Sequence, residues 1–222
     1  MGGSLAGSTV LTLVKLNPRV AYEAEQLGVD VAMVAKKALV EAPKMKLLYP
    51  RLEDKKDRAR MRVRIPRPVW EELRRRFGSV SLISWVVDME LSACVMQMKI
   101  LLATPDNELL ALVFRHQPPN EDQNTVVEVR LPKPAVETAQ EAGVHVGAVV
   151  KAALIAFARK RLPPTAPILR PDVEKVRIFA RVPKEVADYL GSVGGPSRAW
   201  WFCCRVLLAC AKKLREVRED AL

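Results

Sequence analysis

One property of this chain narrows its possible folds more than any other: it repeats itself. The stretch KLNPRVAYEAEQLGVDVAMVAKKALVE from Lys15 matches RLPKPAVETAQEAGVHVGAVVKAALIA from Arg130 without a gap. Leu16 falls on Leu131 and Gly28 on Gly143, each pair 115 residues apart. Two looser copies start at Arg64 (RIPRPVWEELRRRFGSVSLISWVVDMELSACV) and at Arg181 (RVPKEVADYLGSVGGPSRAWWFCCRVLLACAKKL), 117 residues apart. Periodic self-similarity points to one supersecondary unit used several times. The units are expected at about 9–46, 60–100, 125–162 and 174–217. They group into two halves, 1–115 and 125–222, divided by a polar, proline-rich linker at 116–124.

Each copy has the same physical grammar. In the second, Met61, Val63 and Ile65 alternate with Arg60, Arg62 and Arg64, the pattern of a half-buried strand with one basic face. Pro66 or Pro68 then opens a helix, where a missing N–H costs nothing. Val69, Leu73 and Phe77 give that helix one apolar face, and Gly78 ends it, as Gly28 and Gly143 do elsewhere. A second helix starts near a small polar residue: Asp30, Ser79 or Ser81, and Ser197. In the second copy it is apolar on nearly every side (Ile83, Val86, Val87, Leu91, Val95), so a unit alone is too small to bury it and pairing is required. The expected fold is therefore mainly α with short strands, built from four strand–helix–helix units.

Charge narrows the partner. Of 222 residues, 36 are Lys or Arg and 25 Asp or Glu, a formal net charge of +11 and a pI near 9.8. That balance favours a polyanion, nucleic acid before an acidic membrane. Cys94, Cys203, Cys204 and Cys210 have neither zinc nor disulfide-framework spacing and read as small buried hydrophobes in a reducing interior. His116 and His145 lie far apart without ligand-type neighbours, so no metal is expected. MGGSLAGS lacks the basic-then-apolar pattern of a signal peptide. WWFCCRVLLACA is interrupted by Arg205 and falls short of the roughly 20 residues of a membrane span. There is no glycine-rich phosphate loop, nucleophile motif or carboxylate pair, so neither an enzyme, a cofactor nor a small-molecule substrate is expected. Trp200 and Trp201 could stack on bases, with at least one expected in the core of the last helix; Arg74, Arg75 and Arg76 could meet phosphates or simply solvent.

VRIP, VRLP and ARVP before the first helices, and GVDV, GVHV and GSVS before the second, resemble the ribbon-helix-helix (Arc/MetJ-like) superfamily. The resemblance covers about 150 of the 222 residues. It implies two pseudo-dimeric ribbon-helix-helix modules, each pairing two strands into an antiparallel ribbon that enters the DNA major groove. Carried over by position, the groove-facing residues are Arg60, Arg62 and Arg64; Arg177, Phe179 and Arg181; Lys15 beside Leu11 and Leu13; and Arg130 beside Glu128 and Val126. The phosphate clamp at the start of the second helix falls on Ser79, Ser81, Ser197 and Arg198. The first and third copies offer Ala32 and Gly147 instead of the usual serine. The resemblance implies a double-stranded-DNA-binding transcriptional regulator or repressor, acting in the cytoplasm or nucleoid of a prokaryote. The alternative is an architectural or packaging nucleoprotein coating duplex DNA, in chromatin or inside a virion, with self-association on DNA open. A third reading is an antitoxin-like module whose Leu11, Leu13 and Phe179 face a protein. Segment 101–114 fits none of the copies.

Overall fold

The computed structural model describes residues 8–45, 58–79, 83–115, 124–168 and 172–220. The chain forms two compact units, Met1–Met98 and Lys99–Leu222. The linker expected at 116–124 lies outside the described residues except for Asn124.

In the first unit, strand β1 (Thr9–Leu16) leads to helices α1 (Pro18–Gln26) and α2 (Val31–Glu41), and strand β2 (Ala59–Pro66) to α3 (Arg67–Phe77) and α4 (Ser84–Ala103), whose last turns belong to the second unit. The strands pair antiparallel, with Leu11 opposite Arg64, Leu13 opposite Arg62 and Lys15 opposite Arg60. Because strand side chains alternate, this register sends Thr12, Val14, Leu16, Val63 and Ile65 inward, where all are buried. Ala35 and Leu39 of α2, Leu73 of α3 and Val86, Val87 and Leu91 of α4 are buried as well and complete the core of this unit. Local chemistry fixes the helix ends. Asn17 Oδ1 accepts from the Arg19 N–H at 3.1 Å, with Pro18 in the first turn of α1. Gly28, at φ +73°, turns the chain after α1, so that Asp30 Oδ1 accepts from the Met33 N–H at 3.0 Å and caps α2.

The second unit holds α5 (Asp106–Phe114), β3 (Asn124–Pro132), α6 (Lys133–Glu141), α7 (Val146–Arg159), β4 (Lys175–Pro183), α8 (Lys184–Ser192) and α9 (Trp200–Glu219), the last preceded by a tight turn at Pro196–Ala199. β3 and β4 pair antiparallel, with Val126 opposite Arg181, Glu128 opposite Phe179 and Arg130 opposite Arg177. Helix α7 is buried on all sides from Ala152 to Ala158, and its Phe157 ring lies 6.3 Å from Phe202 and 6.4 Å from Tyr189. His145 takes the place of Asp30, its Nδ1 accepting from the Ala148 N–H at 3.2 Å.

The expected fold of four strand–helix–helix units in two pseudo-dimeric modules is corrected by this architecture. Among the described residues there are nine α-helices and two separate two-stranded antiparallel sheets, whereas four such units would supply one strand and two helices each. The extra helix is α5, in the segment that matched no copy; Leu109 and Val113 bury it against α7 and α9. The helices following the first ones are also unequal, 11 residues in α2, 14 in α7 and 20 in α4 and α9. Sequence similarity between copies therefore does not extend to equal elements, because α5 serves the second unit alone.

Candidate nucleic-acid interface

Each ribbon turns one face to solvent. On the β1–β2 face Leu11, Leu13, Lys15, Arg60, Arg62 and Arg64 are exposed, with Leu11 at 51 %. Three arginines at every second position of β2 extend along about 13 Å, at roughly 3.3 Å per residue. Lys15 stands opposite Arg60, so four cations share one face. None of the four is held in an ion pair among the described residues.

The β3–β4 face carries Val126, Glu128, Arg130, Arg177, Phe179 and Arg181, with Phe179 62 % exposed. Here the charge is partly answered from within. Glu128 Oε1 lies 3.0 Å from Arg130 Nε and 4.0 Å from Arg177 Nε. Among the described residues the first ribbon thus presents four cations outside any ion pair, the second three cations around one carboxylate. Beside the second ribbon an open groove of about 310 Å³ is lined by Glu128, Arg130, Pro167, Ile168, Lys175 and Ser197.

The residues expected to clamp phosphate fare differently. Ser81 lies outside the described residues. Ser79 is exposed just after Gly78, which ends α3 at φ +75°. Ser197 sits in the turn before α9, and its Oγ accepts the Arg130 N–H at 3.4 Å. Arg198, in the same turn, accepts from Thr165 through its carbonyl, from N–H at 2.8 Å and from Oγ1 at 2.7 Å.

Sequence reasoning missed Ser84 and Asp88 at the start of α4. Ser84 is fully buried, and its Oγ accepts the Lys15 N–H at 3.0 Å. Asp88 Oδ1 accepts the Asn17 N–H at 2.8 Å, and its Oδ2 lies 3.4 Å from Arg58 Nη1. These two side chains satisfy N–H groups of the first ribbon's edge and of the turn after it, which would otherwise invite another strand. Burial raises the Asp88 carboxyl above its ordinary pKa, against the pull of the Asn17 N–H and Arg58. Their signal was present: two polar residues four apart on a helix otherwise apolar on that side.

The other candidates are occupied by the fold. Trp200 Nε1 donates to the Ala166 carbonyl at 2.8 Å, and Trp201 lies under Arg205 at 6.0 Å; both are half-buried, and the core of this helix is Phe202, Cys203 and Cys204 instead. Arg75 pairs with Glu72 at 2.7 Å, Arg76 donates to the carbonyls of Pro43 and Met45 at 2.6 and 3.1 Å, and Arg74 stacks over Trp70 at 4.8 Å. All four cysteines are free thiols; Cys203 and Cys204 are buried, Cys94 and Cys210 half-buried. Burial pushes Cys94 up to about 11 and Cys204 to about 12, and raises Cys203 and Cys210 too.

Among the described residues no three His, Cys, Asp or Glu side chains come together to hold a metal ion. Among those residues, too, no helix is long and apolar enough to cross a membrane. Comparison of the chain with protein-family models, with curated proteins and with solved structures yields no match.

Proposed function

We propose that the chain binds double-stranded DNA by inserting its antiparallel ribbons into the major groove, in the manner of the ribbon-helix-helix superfamily, and acts as a transcriptional regulator. The observation that carries this reading is the outward face of β1–β2. It sets Lys15, Arg60, Arg62 and Arg64 on a narrow ribbon with no acid among them. Strands about 4.8 Å apart, with side chains on one face, fit a groove about 12 Å wide. Arg reads the O6 and N7 of guanine bidentately, and an apolar side chain such as Leu11, Leu13 or Val126 suits the methyl group of thymine.

A second reading is favoured by the composition of the same faces. Apart from Thr9 and Asn124 at the strand starts, these two faces carry no Asn, Gln, Ser or Thr to discriminate bases. Cations and apolar groups alone suit a nucleoprotein that coats duplex DNA. Binding to a random duplex and to duplexes selected from a pool, across salt concentration, separates the two. A regulator loses about 1–3 kcal/mol for each mismatched base pair. A coating protein shows a steep salt dependence and no preference. Absence of duplex binding at low salt would refute both readings.

A further inference from the structure

The two ribbons align pair for pair at the repeat offsets of 115 and 117 residues. On the outward faces, Leu11 opposite Arg64 becomes Val126 opposite Arg181, and Lys15 opposite Arg60 becomes Arg130 opposite Arg177. These outer pairs keep their character: an aliphatic side chain facing an arginine, and a cation facing an arginine. The middle pair does not. Leu13 opposite Arg62 becomes Glu128 opposite Phe179. The cation has given way to an exposed aromatic ring, and the aliphatic side chain to a carboxylate.

Attraction to phosphate accounts for the outer pairs and runs against the middle one. A carboxylate at the centre of the face repels the backbone, and a phenyl ring adds no charge. Both suit a base edge instead. An ionised carboxylate only accepts hydrogen bonds, so it needs an amino donor. The major groove offers two, N6 of adenine and N4 of cytosine. Adenine N6 stands between two acceptors, its own N7 and O4 of the paired thymine, which the second carboxylate oxygen would meet. Cytosine N4 has an acceptor on one side only, O6 of guanine, and the apolar C5 edge on the other. Phe179 lies directly across the ribbon from Glu128, where opposed side chains start about 4.5–5.5 Å apart. The arginines suit the other half of the same base pair. Glu128 Oε1 lies 3.0 Å from Arg130 Nε and 4.0 Å from Arg177 Nε, so a guanidinium stands beside the carboxylate as guanine O6 and N7 stand beside cytosine N4.

We infer that the centre of the second ribbon reads a cytosine·guanine pair and prefers it with 5-methylcytosine, the base that carries an amino donor and a methyl group on adjacent ring carbons. Glu128 accepts the N4 hydrogen, Phe179 covers the methyl group, and Arg130 or Arg177 donates to guanine. The inference rests on the proposed insertion of the ribbons into the major groove. Thymine offers Phe179 the same methyl group but sets O4 against the carboxylate. Unmodified cytosine satisfies Glu128 and leaves the ring without its methyl contact.

Fluorescence anisotropy with two duplex pools tests the preference. One pool has mixed sequence, and the other is the same pool synthesised with 5-methylcytosine in place of cytosine, both at one salt concentration. The native full chain should bind the methylated pool about fourfold more tightly, the worth of one buried methyl group. Glu128→Leu and Phe179→Arg give the second ribbon the residues of the first, and each should erase the preference while keeping binding to both pools. Arg62→Ala on the first ribbon should weaken binding to both pools and leave the preference as it was. Equal affinity of the native chain for the two pools would overturn the inference and leave duplex binding standing. So would a preference that survives both second-ribbon variants. Failure to bind either pool at low salt refutes the insertion of the ribbons itself, and the inference with it.

Discussion

Replacing Arg62 and Arg64 together by alanine removes half of the cations on the first ribbon's face and touches little else. Both side chains are exposed, and neither is in an ion pair among the described residues, so the change in folding stability should stay within about 0.5 kcal/mol. The expected loss in binding follows from the proposed groove contact. A bidentate arginine–guanine pair is worth about 1–3 kcal/mol, so two give about 2–6 kcal/mol, or about 30-fold to about 20,000-fold in affinity. The salt dependence separates base reading from phosphate neutralisation. Each neutralised phosphate contributes about −0.9 to the slope of log K against log salt, so two lost phosphate contacts flatten it by about 1.8. Lost base contacts reduce affinity for the preferred duplex and leave the slope nearly as it was. Fluorescence anisotropy of a labelled duplex, titrated from low to physiological salt, reads both quantities. Unchanged affinity at every salt concentration, in a variant that melts like the native chain, would refute the placement of this ribbon in the groove.

Other outcomes follow from the same geometry. Glu128→Gln should tighten duplex binding through the second ribbon, because it frees Arg130 and Arg177 from their shared carboxylate; the same anisotropy assay reads it, and weaker binding would contradict the electrostatic account. The Asp88 carboxyl is raised in the folded state, so the native chain binds a proton more readily than the unfolded one just above the ordinary carboxylate pKa. Stability should therefore fall as pH rises from that value through the raised one, and Asp88→Asn, which keeps an acceptor for the Asn17 N–H, should flatten this trend in thermal melts taken across acidic pH. With Cys94 near 11 and Cys204 near 12, and Cys203 and Cys210 also raised, the thiols should react slowly with a disulfide reagent at pH 8 and fast once the chain is denatured; a rapid phase in the native state would refute their placement. His145→Ala removes the cap of α7 and should cost about 0.5–2 kcal/mol in denaturant melts.

The strands were legible because their period is two and one face is buried. Arg60-Met61-Arg62-Val63-Arg64-Ile65 leaves no doubt about which side faces the core, and Gly28, Gly78 and Gly143 mark helix ends by a conformation that other residues avoid. The overall architecture departs from the sequence repeat, because similarity between copies does not make their elements repeat. LLATPDNELLALVF is apolar enough to be core, but nothing local says that α5 docks on α7 and α9; that depends on Arg205 and Lys212, about a hundred residues away. Phosphate-clamp assignments were the weakest for a related reason. A serine near a helix start is a cap, a clamp or an edge acceptor according to which N–H lies nearest in space. Ser197 reaches the strand N–H of Arg130, as Ser84 does that of Lys15.

The two ribbons differ in a way that matters for how one chain could use both. On the proposed reading the first, with four cations outside any ion pair among the described residues, supplies most of the attraction to phosphate, while the second gives up part of its charge to Glu128. A carboxylate in the major groove is repelled by phosphates but can accept the N4 amino hydrogen of cytosine, a contact no arginine makes. Once the first ribbon is seated, the second is tethered, and its contacts gain from a high effective concentration rather than from charge of its own. A weak and selective surface is then tolerable beside a strong and permissive one. This bears directly on the choice between regulator and coating protein. A chain selected only to cover DNA gains nothing from Glu128, since an arginine or alanine there would bind every sequence more tightly. The carboxylate at the centre of the second face is therefore the residue that weighs most for the regulator, against the scarcity of amide and hydroxyl side chains that weighs for coating.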